Sequence, residues 1–387
     1  MKGRKLLMIP GPIEFEPAVL SMMSKPTTSH VAPDFIDAFG NCIEMMRKVW
    51  QSPSGQPFIV GGTGTFAMDM AGSNLIEPGD NALVISSGFF GDRYAALLKR
   101  YGAHVDFLQP QLGNIVTTEE IETALKQKKY KLMTFTHVDT STSVKINPQP
   151  IAELGKKYDV LTILDGVCSV AGEDIQQDKW GIDVVLTASQ KAVGVPPGLA
   201  LLVASPKAMA TYNSRKTPVG NYYADWGNWL PIMQAYEARK PSYFGTPPVN
   251  LVFALEVSLN IILKEEIEKR FKRHNHIADS FRAAMKALKL ELIPANDTIA
   301  ANTLTAVYLP NGVAPTDFIP AVSNAGVIIA GGLLKDSKPY FRVGHMGSVN
   351  ATDILGTIAA IETAFKKCNY SFTANAGLTA AQNVLLA

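Results

Sequence analysis

The chain has 387 residues, 47% of them hydrophobic and 18% charged, with a formal net charge of +2. That suffices for one large domain and a smaller one, and it supplies no basic face able to neutralise many phosphates, so nucleic acid is not an expected partner. The three cysteines, Cys42, Cys168 and Cys368, are far apart and odd in number, which argues against a disulfide framework or paired-thiol metal site and for a reducing compartment.

In chain order, a basic start gives way to an apolar stretch, Leu6-Leu7-Met8-Ile9, that stops at Pro10-Gly11-Pro12 and is too short for a signal peptide. No window approaches the roughly 18 uninterrupted apolar residues of a membrane span, so the expectation is a soluble protein with no membrane partner. Cytoplasm is the expected location; the last three residues, Leu-Leu-Ala, do not match the usual peroxisomal address, and peroxisome and mitochondrion stay open.

From about residue 57 to 205, short β-rich runs at 58–60, 82–85, 105–108, 132–135, 161–164, 184–187 and 199–203 alternate with helical stretches. The pattern predicts an α/β fold with a mostly parallel sheet sandwiched by helices and chemistry beyond the carboxyl ends of the strands. Residues 206–250, rich in Pro, Tyr and Trp, read as an irregular excursion packed against something, plausibly a second subunit. A long helical pattern over 249–288 would link the domains. Further β-like runs at 304–308, 327–330 and 340–343, with helical stretches at 315–324 and 352–367, form a smaller α+β unit. The 369–387 tail has little periodicity and no predicted place. The expected division is an arm over 1–20, a large domain over 21–265 and a small C-terminal domain over 266–387.

Three segments carry chemistry. Lys191 follows an apolar strand and precedes a Gly194-Val195-Pro196-Pro197-Gly198 turn. Desolvation and nearby cations at such a place lower an ammonium pKa and free the amine to form an imine; the alternative is a surface lysine after a strand. Asp165 ends another buried strand, where a carboxylate needs a partner such as a protonated pyridine nitrogen, or else caps the next helix. Gly61-Gly62-Thr63-Gly64-Thr65 precedes a helix predicted to begin near Phe66. Its glycines, threonine hydroxyls and helix N-terminus suit a single phosphate, and neither a dinucleotide nor a Walker spacing is present.

These segments resemble the fold-type I pyridoxal-phosphate enzymes of class V, the aminotransferases, and within them the alanine–glyoxylate and serine–pyruvate branch, over nearly the whole chain. The resemblance is carried by Pro10-Gly11-Pro12, Gly62-Thr63-Gly64-Thr65, 136–142, Asp165-Gly166-Val167-Cys168-Ser169, Ser189-Gln190-Lys191, 243–248 and 342–347. It implies pyridoxal 5'-phosphate as cofactor, Lys191 as the Schiff-base lysine and Asp165 as the pyridine-nitrogen partner. Thr63, Gly64 and Thr65 would form the phosphate turn with Gln190 beside it. Thr140 would lie near the ring and Val167 on one of its faces. Tyr243 and Thr246 would reach the phosphate of a neighbouring subunit, making a homodimer with shared sites. Arg342 would clamp the substrate carboxylate, with Gly11 against the substrate. No metal is implied.

One departure stands out: where many relatives place Trp or His on the cofactor ring, this chain has Phe90, which can stack but donates no hydrogen bond and could equally be a core aromatic. With one obvious carboxylate clamp, small 2-amino and 2-oxo acids are expected. Alanine to glyoxylate follows from the resemblance, with serine as a further donor. Arg93 and Arg215 are expected on the surface, with entry into the site as the alternative. A cysteine desulfurase would need a loop nucleophile that none of the cysteines resembles, a phosphoserine aminotransferase extra cations, and a dehydrogenase the missing dinucleotide fingerprint. Against a non-catalytic scaffold stand the intact Lys191, Asp165 and Arg342.

Overall fold

A computed structural model describes residues 5–387. The chain opens with β1 (Leu6–Leu7), α1 (Pro17–Met23), α2 (Pro33–Val49), β2 (Gln56–Gly61), α3 (Gly64–Leu75), β3 (Asn81–Ile85), α4 (Phe89–Arg100) and β4 (His104–Leu108). It continues through α5 (Thr118–Gln127), β5 (Leu132–Thr136), α6 (Pro148–Tyr158), β6 (Leu161–Asp165), α7 (Gln177–Trp180), β7 (Val184–Ala188) and β8 (Leu199–Ala204). Next come α8 (Pro206–Asn213), α9 (Trp226–Glu237), α10 (Val249–Glu265) and α11 (Ile267–Ala287). The last part holds β9 (Leu304–Tyr308), α12 (Pro315–Asn324), β10 (Val327–Ile328), β11 (Ala330–Gly331), β12 (Tyr340–Gly344), α13 (Ala351–Lys367) and α14 (Ala376–Leu385).

The seven strands expected from residues 57 to 205 form one sheet in the order β2-β8-β7-β6-β5-β3-β4. β3 lies parallel to β4 and β5, β5 to β6, and β6 to β7, while β8 runs against both its neighbours. Every residue of β5, β6 and β7 is buried, as continuous apolar runs covered on both faces require. At the edge, β4 has no fully buried residue and exposes His104 and Phe107. Local signals start the covering helices: Pro33 and Asp34 open α2, and a reciprocal Thr117/Glu120 capping box opens α5.

In the C-terminal unit, β11, β12 and β9 form an antiparallel sheet. Phe318 stacks near Phe341 and Phe365 in its core, with ring centroids 5.0 and 4.4 Å away. The N-terminal arm crosses to this unit. β1 pairs with β10 in parallel, Leu6 opposite Val327, before the chain returns to the large sheet.

The structure differs from the sequence reading in four places. Residues 206–250 are partly regular: α8 and α9 occupy them, and Trp226, Trp229 and Tyr236 are buried by packing within this chain. The 249–288 pattern is two helices. Glu266 has φ +68° and ends α10, and Arg270 and Arg273 both fold back onto Glu265 across the bend. The 327–330 run is split into β10 and β11 around buried Ile329. The tail forms α14, packed on α11 and α13, with the Glu362 carboxylate accepting N–H bonds from Asn375 and Gly377 at 2.9 Å. We propose the bend at Glu266 as the boundary between large and small domains; the arm boundary expected at residue 20 falls inside α1.

Candidate active site

β2, β5, β6 and β7 all run in one direction, so Thr63, Thr140, Asp165 and Lys191 emerge at the same edge of the sheet. After β7 the chain turns on Ser189, whose hydroxyl donates to the Pro196 carbonyl at 2.8 Å and accepts the Leu199 N–H at 3.2 Å. This closed turn places Lys191 with 8% of its surface exposed. Its Nζ donates to the carbonyl of Pro10 on the N-terminal arm. Gly11 has φ +123°, and a Cβ there would stand 2.6 Å from Lys191 Cδ, so the arm's close approach requires glycine. Burial pulls the Lys191 ammonium below its usual pKa and Arg342 adds to the effect, while Cys168 and Asp165 oppose it.

Asp165 ends β6 with 2% exposure, in register with Leu186 of β7. Thr187 Oγ1 donates to the Gly166 carbonyl at 3.1 Å and fastens the two strand ends together. The carboxylate accepts the Val167 N–H at 3.0 Å. Burial pushes its pKa up to about 6, and Asp139 contributes, against the opposing fields of Lys191 and Arg93. No ion pair holds Asp165 among the described residues. A buried acid in that condition is suited to a cation that arrives with a ligand.

Thr63 is the N-cap of α3, yet its side chain makes no capping bond, leaving the hydroxyl and the first-turn N–H groups available. The helix starts at Gly64, two positions before the expected Phe66. A Cβ at Gly64 would meet Val167 Cγ2 at 2.8 Å, so the turn and Val167 pack as closely as glycine allows. Thr63 and Thr65 are exposed, and Gln190 beside them is half-buried, with its Oε1 lacking a partner. The two threonine hydroxyls and the first-turn N–H groups are donors that match a tetrahedral anion.

Asp139 went unassigned in the sequence reading and organises the rest of the site. Its buried carboxylate accepts the Ser141 N–H at 2.9 Å, the Ser141 hydroxyl at 2.5 Å and the Phe90 N–H at 3.0 Å. It thereby holds the turn carrying Thr140 and the start of α4. The signal was there to find: an acid next to Thr-Ser-Thr after a buried strand forms an Asx-type turn. Thr140 is buried, and its carbonyl accepts from Arg342 Nη1 at 3.0 Å, while Gly331 accepts from Nε at 2.9 Å. Arg342 is 7% exposed, and no carboxylate of the described residues pairs with it. Phe90 is half-buried, and its ring meets Phe89 edge-on at 5.4 Å.

Two predicted residues lie apart from this group. Tyr243 is 63% exposed with its ring 5.1 Å from that of His30, and Thr246 is exposed nearby. Of the two arginines expected at the surface or in the site, Arg215 binds the Asn74 and Ile76 carbonyls at the end of α3, whereas half-buried Arg93 reaches Thr65 of the anion turn. All three cysteines are free, and burial raises the thiol pKa of Cys42 and Cys168, the reverse of a reactive nucleophile.

The arrangement therefore offers an anion turn, an acid for a cationic ring nitrogen, an amine poised to attack a carbonyl carbon, and a guanidinium for a carboxylate. The family model for class-V aminotransferases matches residues 20–349. An alanine–glyoxylate aminotransferase of Saccharomyces cerevisiae is 40% identical over 89% of this chain and 93% of its own. A serine–glyoxylate aminotransferase of Arabidopsis thaliana is 29% identical over 99% and 96%. Among solved structures, a ureidoglycine–glyoxylate aminotransferase from Bacillus subtilis superposes with a TM-score of 0.94 at 26% identity, covering 100% of this chain and 99% of that one.

Proposed function

The chain belongs to the class V aminotransferases, whose cofactor is pyridoxal phosphate, and from that premise we propose that it transfers the amino group of alanine to glyoxylate, giving pyruvate and glycine, with serine as a second donor. The observation that carries the substrate reading is the buried Arg342, a guanidinium held by two backbone carbonyls and lacking a side-chain counter-ion. It suits one carboxylate, which both alanine and glyoxylate carry. The names of three relatives support the acceptor: their donors differ and glyoxylate recurs.

The site fits the cofactor on three counts: the Gly64 cradle that a Cβ would fill, the Thr63 hydroxyl left without a capping bond beside it, and the unpaired acid of Asp165. Thr63, Gly64, Thr65 and Gln190 would hold its phosphate, Val167 and Phe90 its ring faces, and Lys191 its aldehyde carbon. When bound, the cofactor supplies an electron-withdrawing ring that spreads the negative charge left on an amino acid's Cα. Asp165 keeps a proton on the ring nitrogen. Arg342 orients the substrate carboxylate. With the cofactor bound, Lys191 Nζ, its basicity lowered by burial, would serve as the base that takes the proton from the substrate's Cα and as the acid that gives it back. Thr140 would lie near the ring, and Gly11, where a Cβ would collide with Lys191, would lie against the substrate.

Exposed Tyr243 and Thr246 support a homodimer in which each subunit supplies these residues to the other's phosphate. Among the described residues no helix is long and apolar enough to cross a membrane.

Half-reactions followed by absorbance test the substrate reading. Alanine should discharge the cofactor-loaded enzyme fastest, serine next, and glyoxylate should restore it. Phosphoserine or aspartate as the sole active donor would overturn it.

A further inference from the structure

Arg93 lies one turn into α4, and its guanidinium bridges two parts of the site that no strand connects. Nη1 donates to Thr65 Oγ1 at 2.8 Å. The guanidinium carbon stands 5.0 Å from the centroids of both the Phe89 and Phe90 rings, within cation–π range. Thr63, Thr65, Phe66, Asp69, Arg93 and Arg100 are among the residues that line a cavity of about 570 Å³. Among the described residues no carboxylate forms an ion pair with Arg93.

The hydrogen-bond chemistry is directional. A hydroxyl that accepts from a guanidinium, which cannot accept, keeps its own hydrogen free to donate. Arg93 thus fixes Thr65 as a donor toward whatever anion occupies the turn. The same planar group packs against two aromatic rings, one of which, Phe90, is further tied by its N–H to Asp139. A lysine has the charge but neither the plane nor the fork.

We propose that Arg93 is a positioning residue for the cofactor: it couples Thr65 of the phosphate turn to the Phe90 ring, so that phosphate and pyridine ring are registered by one side chain. This rests on the pyridoxal-phosphate reading above. It predicts that Arg93 and Thr65 act on cofactor affinity as a unit and do so through the phosphate.

The test is titration of apoprotein with pyridoxal phosphate and, separately, with pyridoxal, which lacks the phosphate, followed by quenching of intrinsic fluorescence. Arg93→Ala and Thr65→Val should each weaken pyridoxal-phosphate binding by about tenfold or more, and the double variant no further than the weaker single, as coupled groups require. Arg93→Lys should fail to restore wild-type affinity. Thr65→Val should leave pyridoxal binding unchanged. Melting curves of the apoproteins establish folding; if Arg93→Ala does not fold, Arg93→Lys alone and combined with Thr65→Val makes the same comparison. Wild-type protein that binds no pyridoxal phosphate overturns the cofactor reading itself. Wild-type binding with Arg93 variants within twofold of it, or additive losses in the double variant, overturns the role of Arg93 and leaves the cofactor reading standing.

Discussion

A carboxyl group with one backbone N–H to hold its charge costs the apoprotein stability, and Asp165 is such a group. Its pKa is raised from the usual 3.8 to about 6, a difference on the order of 3 kcal/mol against the ionised form. The folded state binds this proton more tightly than the unfolded chain, so the contribution to stability falls as pH rises from about 4 through 6 and stays low above that. Asp165→Asn keeps an oxygen for the Val167 N–H and carries no charge. Its apoprotein should unfold at higher denaturant than wild type at pH 7 to 8, by roughly 1 to 3 kcal/mol, with the gap closing toward pH 4. Equilibrium unfolding at several pH values checks this, and an equal gap at all pH values would contradict it. At this scale the sequence was most readable. Lys191 and Asp165 sit where strand periodicity ends, and a charged residue at such a point is conspicuous. Arg93 was not readable, because its approach to Thr65 depends on how α4 faces α3, which no local pattern encodes.

Among the elements, the break between α10 and α11 shows what periodicity hides. Apolar residues recur at helical spacing through 249–288, yet Glu266 adopts φ +68° and ψ 123°, a region that side chains avoid. What holds it there is the bend itself: Arg270 reaches the Ala171 and Ala192 carbonyls, joining α11 to the loops after β6 and β7 that carry the site. The Glu266 side chain contributes an exposed pair with Lys269, which is worth little. Glu266→Gly should therefore stabilise the protein by about 1 kcal/mol, seen as a higher denaturant midpoint at unchanged slope. A lower midpoint would show that the bend is unstrained. The missed helix α14 has a related cause: its Ala, Gly and Thr residues give a weak apolar stripe, and its packing on α11 and α13 supplies the order.

For the whole molecule, the mostly parallel sheet and its buried strands followed from alternation of apolar runs and helices, because such a sheet must be covered on both faces, whereas the order of its strands did not. The crossing of the arm did not: β1 pairs with β10 more than 300 residues away before Pro10 and Gly11 return to Lys191, and long-range pairing leaves no local trace. The proposed dimer makes a test at this scale. Mixed dimers of Lys191→Ala and Tyr243→Ala chains, each inactive or weak alone, should recover about a quarter of wild-type activity at equal mixing, since half the dimers hold one site with both residues intact. No recovery in verified mixed dimers would contradict a shared site. The central claim is that the buried Nζ of Lys191 carries the cofactor covalently. Borohydride reduction of pyridoxal-phosphate-loaded protein, followed by proteolysis and peptide mass mapping, tests it most directly. A stable pyridoxyl label should appear on the peptide containing Lys191 and be absent in Lys191→Ala; a label on other lysines with Lys191 unmodified would rule that linkage out.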